Sequence, residues 1–224
     1  MEPAGTYDRG MRSVVFWDFG GVVLSSPFEA FNRYEAERGL PRDFIRTVNA
    51  TNPDANAWAL LERSDIDAAR FDTQFADEAA ALGHRVPGAD VLALLKGEIR
   101  PAMVEALRRI KAAGLPQACL TNNVVGGDGV TNTAASERES AIADIMATFD
   151  AVIESSKVGC RKPERRFYEI ACETMQVEPD RVVFLDDLGI NLKTAAAMGM
   201  HTIKVIDPIV ALRELEAAVG LELL

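Results

Sequence analysis

Histidine, cysteine and long apolar runs are scarce in this 224-residue chain, and each scarcity closes a class of function. His84 and His201 are its two imidazoles and lie far apart in sequence, so a histidine-based triad or metal cluster has little to be built from. Cys119, Cys160 and Cys172 form no C-x-x-C pair and leave an odd count. That argues against a disulfide framework or a structural zinc site, and for a reducing, cytoplasmic setting. No apolar stretch approaches the roughly 20 residues that cross a bilayer, so no membrane partner is expected. The first ten residues carry two Gly, one Pro and three charges without an apolar segment. They read as a frayed leader ahead of Met11, itself a candidate natural start, and not as a secretory signal. Basic residues are outnumbered, 24 against 34, for a net charge of -10. Nucleic-acid affinity comes largely from basic groups displacing counterions, so no nucleic-acid partner is expected; a small anionic substrate needs only a favourable local field.

What is present describes a globular protein: 48% hydrophobic and 26% charged residues, in a chain long enough for one core and a smaller inserted unit. The run Ser13 to Phe19 (SVVFWDF) is β-branched and aromatic and stops at Gly20-Gly21, as a strand buried on both faces does. Similar runs recur at Gln117 to Leu120, Ala151 to Ile153, Arg181 to Leu185 and His201 to Val205. Between them lie helical patterns at Ala102 to Ala113, Glu137 to Ala147, Glu164 to Met175, Ile190 to Met198 and Ile209 to Val219. Alternation of this kind predicts an α/β fold, a Rossmann-like parallel sheet with helices on both faces. From Pro27 to Lys96 the pattern is helical throughout, with Pro41, Pro53 and Pro87 as punctuation. The predicted organisation is therefore a core of residues 1–26 and 97–224 interrupted by a helical insert at 27–96. The insert's aromatics have the ordinary explanation of packing a small bundle. One long irregular stretch, Asn122 to Ser136, is either a loop near function or plain surface.

Ligands of open parallel sheets bind outside the carboxyl ends of the strands, which directs attention to the residues that follow each run. Asp18, Gly20 and Gly21 follow the first; Thr121, Asn122 and Asn123 the second. Lys157, Arg161 and Lys162-Pro163 follow the third; Asp186, Asp187 and Asn191 the fourth. Singly, these have bland readings: a turn residue, a helix cap, a loop cap, a solvated lysine. Together at one sheet edge they supply a nucleophile, neutral donors, a cation and paired carboxylates. A carboxylate approaching a phosphate monoester is opposed by about 4 kcal/mol for unit charges at 4 Å and an effective dielectric of 20. A hard cation such as Mg²⁺, held by Asp18 and Asp187, cancels that repulsion. Lys162, Thr121 and Asn122 are suited to hold the phosphate in line with Asp18.

The motifs FWDFGGVV (Phe16 to Val23), LTNN (Leu120 to Asn123), SKVGCRKPE (Ser156 to Glu164) and VFLDDLGINLKTAAAMGMHTIKV (Val183 to Val205) resemble, in order, those of the haloacid dehalogenase superfamily. The DFGGV form and the fourth motif are most similar to the group that contains the N-terminal phosphatase domain of soluble epoxide hydrolase and the hydrolase-like domain of some acyl-CoA dehydrogenases. By that resemblance Asp18 forms an aspartyl-phosphate and Gly20 offers its carbonyl to Mg²⁺. Asp187 is then a direct ligand, Asp186 holds metal-bound water, and Thr121, Asn122 and Lys162 bind phosphate. The helical insert becomes a cap, and Gly21, Asn123, Trp58 and Glu62 are the candidates for substrate specificity.

The departure from the superfamily's phosphatases is Gly20, where those enzymes usually carry an aspartate that serves as general acid and base. Such help is worth about 10²–10⁴-fold, or roughly 3–5 kcal/mol of barrier. Slow turnover, or restriction to esters with good leaving groups, is the expectation. A ligand-binding or regulatory scaffold is the alternative, and a haloacid dehalogenase the further one. Cys160 is read either as a thiol activated by Arg161 or as inert. The basic cluster Lys157, Arg161, Lys162, Arg165 and Arg166 either steers an anion or, Lys162 excepted, is a solvated face. The chain is expected to act as a monomer or homodimer on a small phosphorylated substrate.

Overall fold

The five apolar runs form five parallel strands in one sheet: β1 (Val14–Trp17), β2 (Gln117–Thr121), β3 (Ala151–Glu154), β4 (Val182–Asp186) and β5 (His201–Lys204), in the order β3-β2-β1-β4-β5. The structure, a computed structural model, describes residues 13–95, 97–122 and 133–224. The leader ahead of Met11, Asn123 and most of the irregular stretch Asn122 to Ser136 lie outside them.

Strand alternation sorts the core into two layers. Val15, Trp17, Cys119, Val183, Leu185 and Ile203 face one side of the sheet, where α6 (Pro101–Ala112), α7 (Thr133–Met146) and α11 (Pro208–Val219) pack. Val14, Phe16, Ala118, Leu120, Val182 and Phe184 face the other, against α9 (Arg165–Met175) and α10 (Gly189–Ala197). β1 and β4 are buried on both faces, and each fully buried large side chain contributes about 1.5–3 kcal/mol.

The chain between β1 and α6 folds into α1 (Phe28–Arg38), α2 (Phe44–Ala50), α3 (Ala57–Glu62), α4 (Ala68–Ala81) and α5 (Gly88–Ala93). Their aromatic stripe, with Phe31, Phe44, Phe71 and Phe75 buried, closes an apolar cluster of its own. Asn56 and Asp67 start α3 and α4 by accepting the N–H groups of Ala59 and Arg70. The outgoing and returning chains are tied together as a neck: Leu24 and Ile99 form an antiparallel bridge, and Ser25 N donates to Glu98 O at 2.7 Å. Gly97 permits that approach, since a Cβ there would lie 2.5 Å from the Ser25 carbonyl oxygen.

Candidate active site

β1 ends one residue before Asp18 because that side chain accepts the N–H of Phe19 at 2.7 Å and turns the chain out of the sheet. A single wide turn follows over Phe19–Val23, closed by Leu24 N donating to Phe19 O at 2.9 Å. Inside it Gly21 sits at φ 85°, and a Cβ there would fall 2.2 Å from an oxygen of Asp187. Glycine therefore meets two demands at position 21, a left-handed backbone and a flat surface for a carboxylate. Gly20 has φ −73° and ψ 128°, a conformation open to any residue, and a Cβ there would meet nothing within 4 Å.

Strand order reverses direction across β1, whose neighbours are β2 and β4, and the polar groups gather at this switch point. Lys162 reaches it from the loop after α8 (Ser155–Val158), almost wholly buried at 1% exposure. Its Nζ lies 2.7 Å from Asp18 Oδ1 and 2.8 Å from Asp186 Oδ2. Asp186, fully buried, also accepts from Leu188 N at 2.8 Å and from Asn191 Nδ2 at 3.0 Å on both oxygens. Both of its oxygens are thus committed to orienting Lys162 and the start of α10. Asp187 is half-buried beside it and accepts from Ser26 Oγ at 3.2 Å. Thr121 is buried at the end of β2.

Carboxylate oxygens of Asp18, Asp186 and Asp187 lie within 4.8 Å of one another. Three carboxylates around one ammonium leave an excess of two negative charges in a largely buried pocket. Burial first, and that surplus second, act on the acid groups. Burial pushes the Asp18 carboxyl well above the usual carboxylate range, Lys162 pulls it back, and Asp186 and Asp187 push it further up. Burial, then the charge of Asp186, lifts Asp187 to about 6. For Lys162 burial works downward and is outweighed by Asp18 and Asp186, so the ammonium is held protonated. A hard divalent cation fits this donor set in charge and in ligand chemistry.

Asn122, expected from the sequence to bind phosphate, follows β2 and lies beside Lys162. Its side chain mimics a strand partner of residue 162: Nδ2 donates to Lys162 O and Oδ1 accepts from Lys162 N, both at 2.9 Å. Nδ2 also approaches Glu62 Oε2 at 3.4 Å. Its amide is occupied in fixing the main chain that carries the lysine. Glu62, at the end of α3, is buried and pairs with Arg161 Nη1 at 2.5 Å; burial raises its carboxyl, while Arg161 and then Trp58 work against that. Trp58 stacks edge-on against Phe71, with ring centroids 5.5 Å apart, so its indole also belongs to the helical cluster. Arg161 donates in addition to Pro53 O, Ser64 Oγ to Ser156 O at 3.2 Å, and Arg63 pairs with Glu164 at 3.5 Å. The end of α3 is thereby fastened over the loop that bears Lys162.

The basic cluster follows its bland reading only in part, because Arg161 is largely buried in its pair with Glu62. Lys157 pairs with Glu154, Arg165 with Glu169 and Arg166 with Glu173, while Lys162 alone of the five enters the pocket. Burial moves the Cys160 thiol upward, away from reactivity. Sequence reading missed Ser26, which comes to Asp187 across 161 positions by way of the neck. No local signal marks it. Asn191 was legible, five residues after Asp186 on the first turn of α10.

A parallel α/β sheet with a buried carboxylate–lysine–carboxylate pocket at its switch point is the frame of a hydrolase of α/β class. The chain belongs to the haloacid dehalogenase-like hydrolase family, whose profile matches residues 13–199. Acyl-CoA dehydrogenase family member 10 of Mus musculus is 33% identical over 220 residues, 96% of this chain and 20% of that protein. Bifunctional epoxide hydrolase 2 of Sus scrofa is 31% identical over 225 residues, 96% of this chain and 40% of that protein. This chain thus spans well under half the length of both relatives. The similarity to these two groups expected from the DFGGV and fourth motifs is borne out. A haloacid dehalogenase family enzyme of Bacteroides thetaiotaomicron, in complex with magnesium and inorganic phosphate, shares the fold with a TM-score of 0.55 and 17% identity. That likeness covers 86% of this chain and 93% of the other. More distant relatives include phosphatases and a haloacid dehalogenase. Among the described residues no helix is long and apolar enough to cross a membrane.

Proposed function

We propose that this protein is a Mg²⁺-dependent phosphoric monoester hydrolase that works through an aspartyl-phosphate on Asp18. One observation carries the reading: the Lys162 ammonium bridges Asp18 and Asp186 while Asp187 stands within metal-sharing reach of both. A dehalogenase has no use for that carboxylate surplus. Asp18, Asp187 and the Gly20 carbonyl hold the cation, and Asp186 acts behind them through Lys162. Bound Mg²⁺ supplies the charge neutralisation that lets an anionic nucleophile meet an anionic substrate.

Lys162 and Thr121 orient the phosphoryl group in line with Asp18. An Asp18 oxygen bonds to phosphorus as the bond to the leaving oxygen breaks, and that oxygen takes a proton. Water then adds at phosphorus, releasing phosphate and restoring the carboxylate. The helical segment 27–96 acts as the cap on the core of residues 1–26 and 97–224, with α3 delivering Glu62 and Trp58 to the pocket rim. Gly20 provides no carboxylate for the leaving group, so the proton comes from solvent through the open space beside it. Substrates are small phosphorylated molecules whose leaving groups need little protonation, such as acyl, anomeric or aryl phosphates.

Phosphate release from an aryl phosphate with and without Mg²⁺ tests this. Activity is expected with the metal, and Asp18→Asn is expected to lower it by at least about 10³-fold. No release by the wild type across a broad panel of phosphorylated metabolites points instead to a ligand-binding scaffold, the reading that Gly20 favours.

A further inference from the structure

Ser26 carries a hydroxyl that the proposed mechanism leaves idle. Ser26 belongs to the neck through which the chain leaves for the helical segment, two residues beyond the Leu24–Ile99 bridge. The neck is held by Ser25 N on Glu98 O at 2.7 Å, Glu98 N on Ser25 Oγ at 2.9 Å and Arg100 N on Val23 O at 3.0 Å. Arg100 Nη1 also donates to Gly21 O at 2.7 Å, tying the returning strand to the turn after Asp18. From this frame Ser26 Oγ donates to Asp187 Oδ2 at 3.2 Å, while Gly21 supplies the flat wall behind the same carboxylate. Asp187 thus sits in a slot whose two sides both come from the segment after β1, and one of those sides is the neck.

We infer that Ser26 is the positioning residue for Asp187, and that through it the seating of the neck and the affinity of the pocket for a divalent cation are coupled. The inference rests on the reading of Asp187 as a metal ligand. A hydrogen bond to the distal oxygen of a ligating carboxylate fixes its rotamer before the cation arrives; such outer partners typically govern about 10–100-fold in metal affinity. Coupling is reciprocal: if an ordered neck favours the cation, the cation must favour an ordered neck by the same factor. The neighbouring Gly21 cannot compensate, having no side chain, and Asp186 has both oxygens engaged elsewhere.

Calorimetric titration of the whole protein with MgCl₂ at constant pH tests this without any turnover. Ser26→Ala is expected to weaken Mg²⁺ binding about tenfold, and Ser26→Thr, which keeps the hydroxyl, to restore it to within about threefold. Hydrogen exchange of the neck amides of Ser25, Glu98 and Arg100 is expected to slow on Mg²⁺ addition in the wild type and to lose that response in Ser26→Ala. Ser26→Ala binding Mg²⁺ as the wild type does overturns the inference and leaves the metal site standing. A wild type that binds no Mg²⁺ overturns the metal reading and this inference with it. Equal losses in the Ala and Thr variants mark a packing effect and overturn it too.

Discussion

At position 20 the absence of a side chain is a chemical choice and not a steric necessity. The backbone there is ordinary and the space around a Cβ is open. Gly20→Asp is therefore expected to fold normally and to raise turnover of alkyl phosphates by about 10²-fold, the lower end of general acid–base help, with a smaller gain for aryl esters. Steady-state kinetics over a leaving-group series check it; no gain means that another group already delivers the proton. Lys162 carries the opposite prediction. Truncation to Met leaves two buried carboxylates without their cation, so urea unfolding of Lys162→Met without metal is expected to show a loss of about 3 kcal/mol. Asp187 gives a pH dependence. Its carboxyl stands near 6 in the folded chain against 3.8 ordinarily, so the native state binds this proton the more tightly. In metal-free protein its contribution to stability is complete below 3.8 and is lost as pH rises through about 6. Cation binding needs the carboxylate, so protonation of Asp187 should lower apparent Mg²⁺ affinity by up to about tenfold per pH unit below 6, as titrations at pH 5 and 7 can show.

At the scale of elements, the ion pair between Glu62 on α3 and Arg161 beside Lys162 is the most buried of the contacts given above that fasten the helical segment to the core near the pocket. Both side chains are about nine-tenths buried, at 9% and 12% exposure. A double-mutant cycle of Glu62→Gln and Arg161→Met, read by chemical denaturation, is expected to return a coupling of about 1–3 kcal/mol; additivity within about 0.5 kcal/mol would remove the pair from the account. Elements were the most legible part of the sequence. All five strands and the five helices that alternate with them fall where the apolar periods put them, because each segment's local pattern agrees with its burial. The ends moved for local reasons. β1 stops at Trp17 since Asp18 turns the chain, and β2 and β4 run one residue further than their apolar runs because Thr121 and Asp186 still pair with Glu154 and Lys204. Side-chain contacts made across long separations were not legible. Nothing local to Asn122 signals that its side chain pairs with the main chain of Lys162, forty positions away. Gly21 reads from the sequence as a candidate for substrate specificity, and the packing of Asp187 on it shows only in the fold.

For the molecule as a whole, the pocket's surplus charge means that stability and function pull on the same groups. Buried carboxylates destabilise the metal-free fold, and a cation that binds only the native state recovers the loss by mass action. Thermal unfolding is expected to rise with Mg²⁺, by about 2.7 kcal/mol of stability at a hundred times the dissociation constant, and Asp187→Asn is expected to abolish the rise in Tm. The net charge of -10 does not set the local field, because a divalent cation would cancel the pocket's own surplus of two negative charges before a small anion binds. The most direct test of the central claim is to trap the covalent step. Wild-type protein mixed with an aryl phosphate and Mg²⁺, quenched in acid and digested, should yield a peptide carrying one phosphoryl group on Asp18, absent without metal and absent in Asp18→Asn. Turnover with that peptide unmodified, or with the phosphoryl group on another residue, would contradict the account.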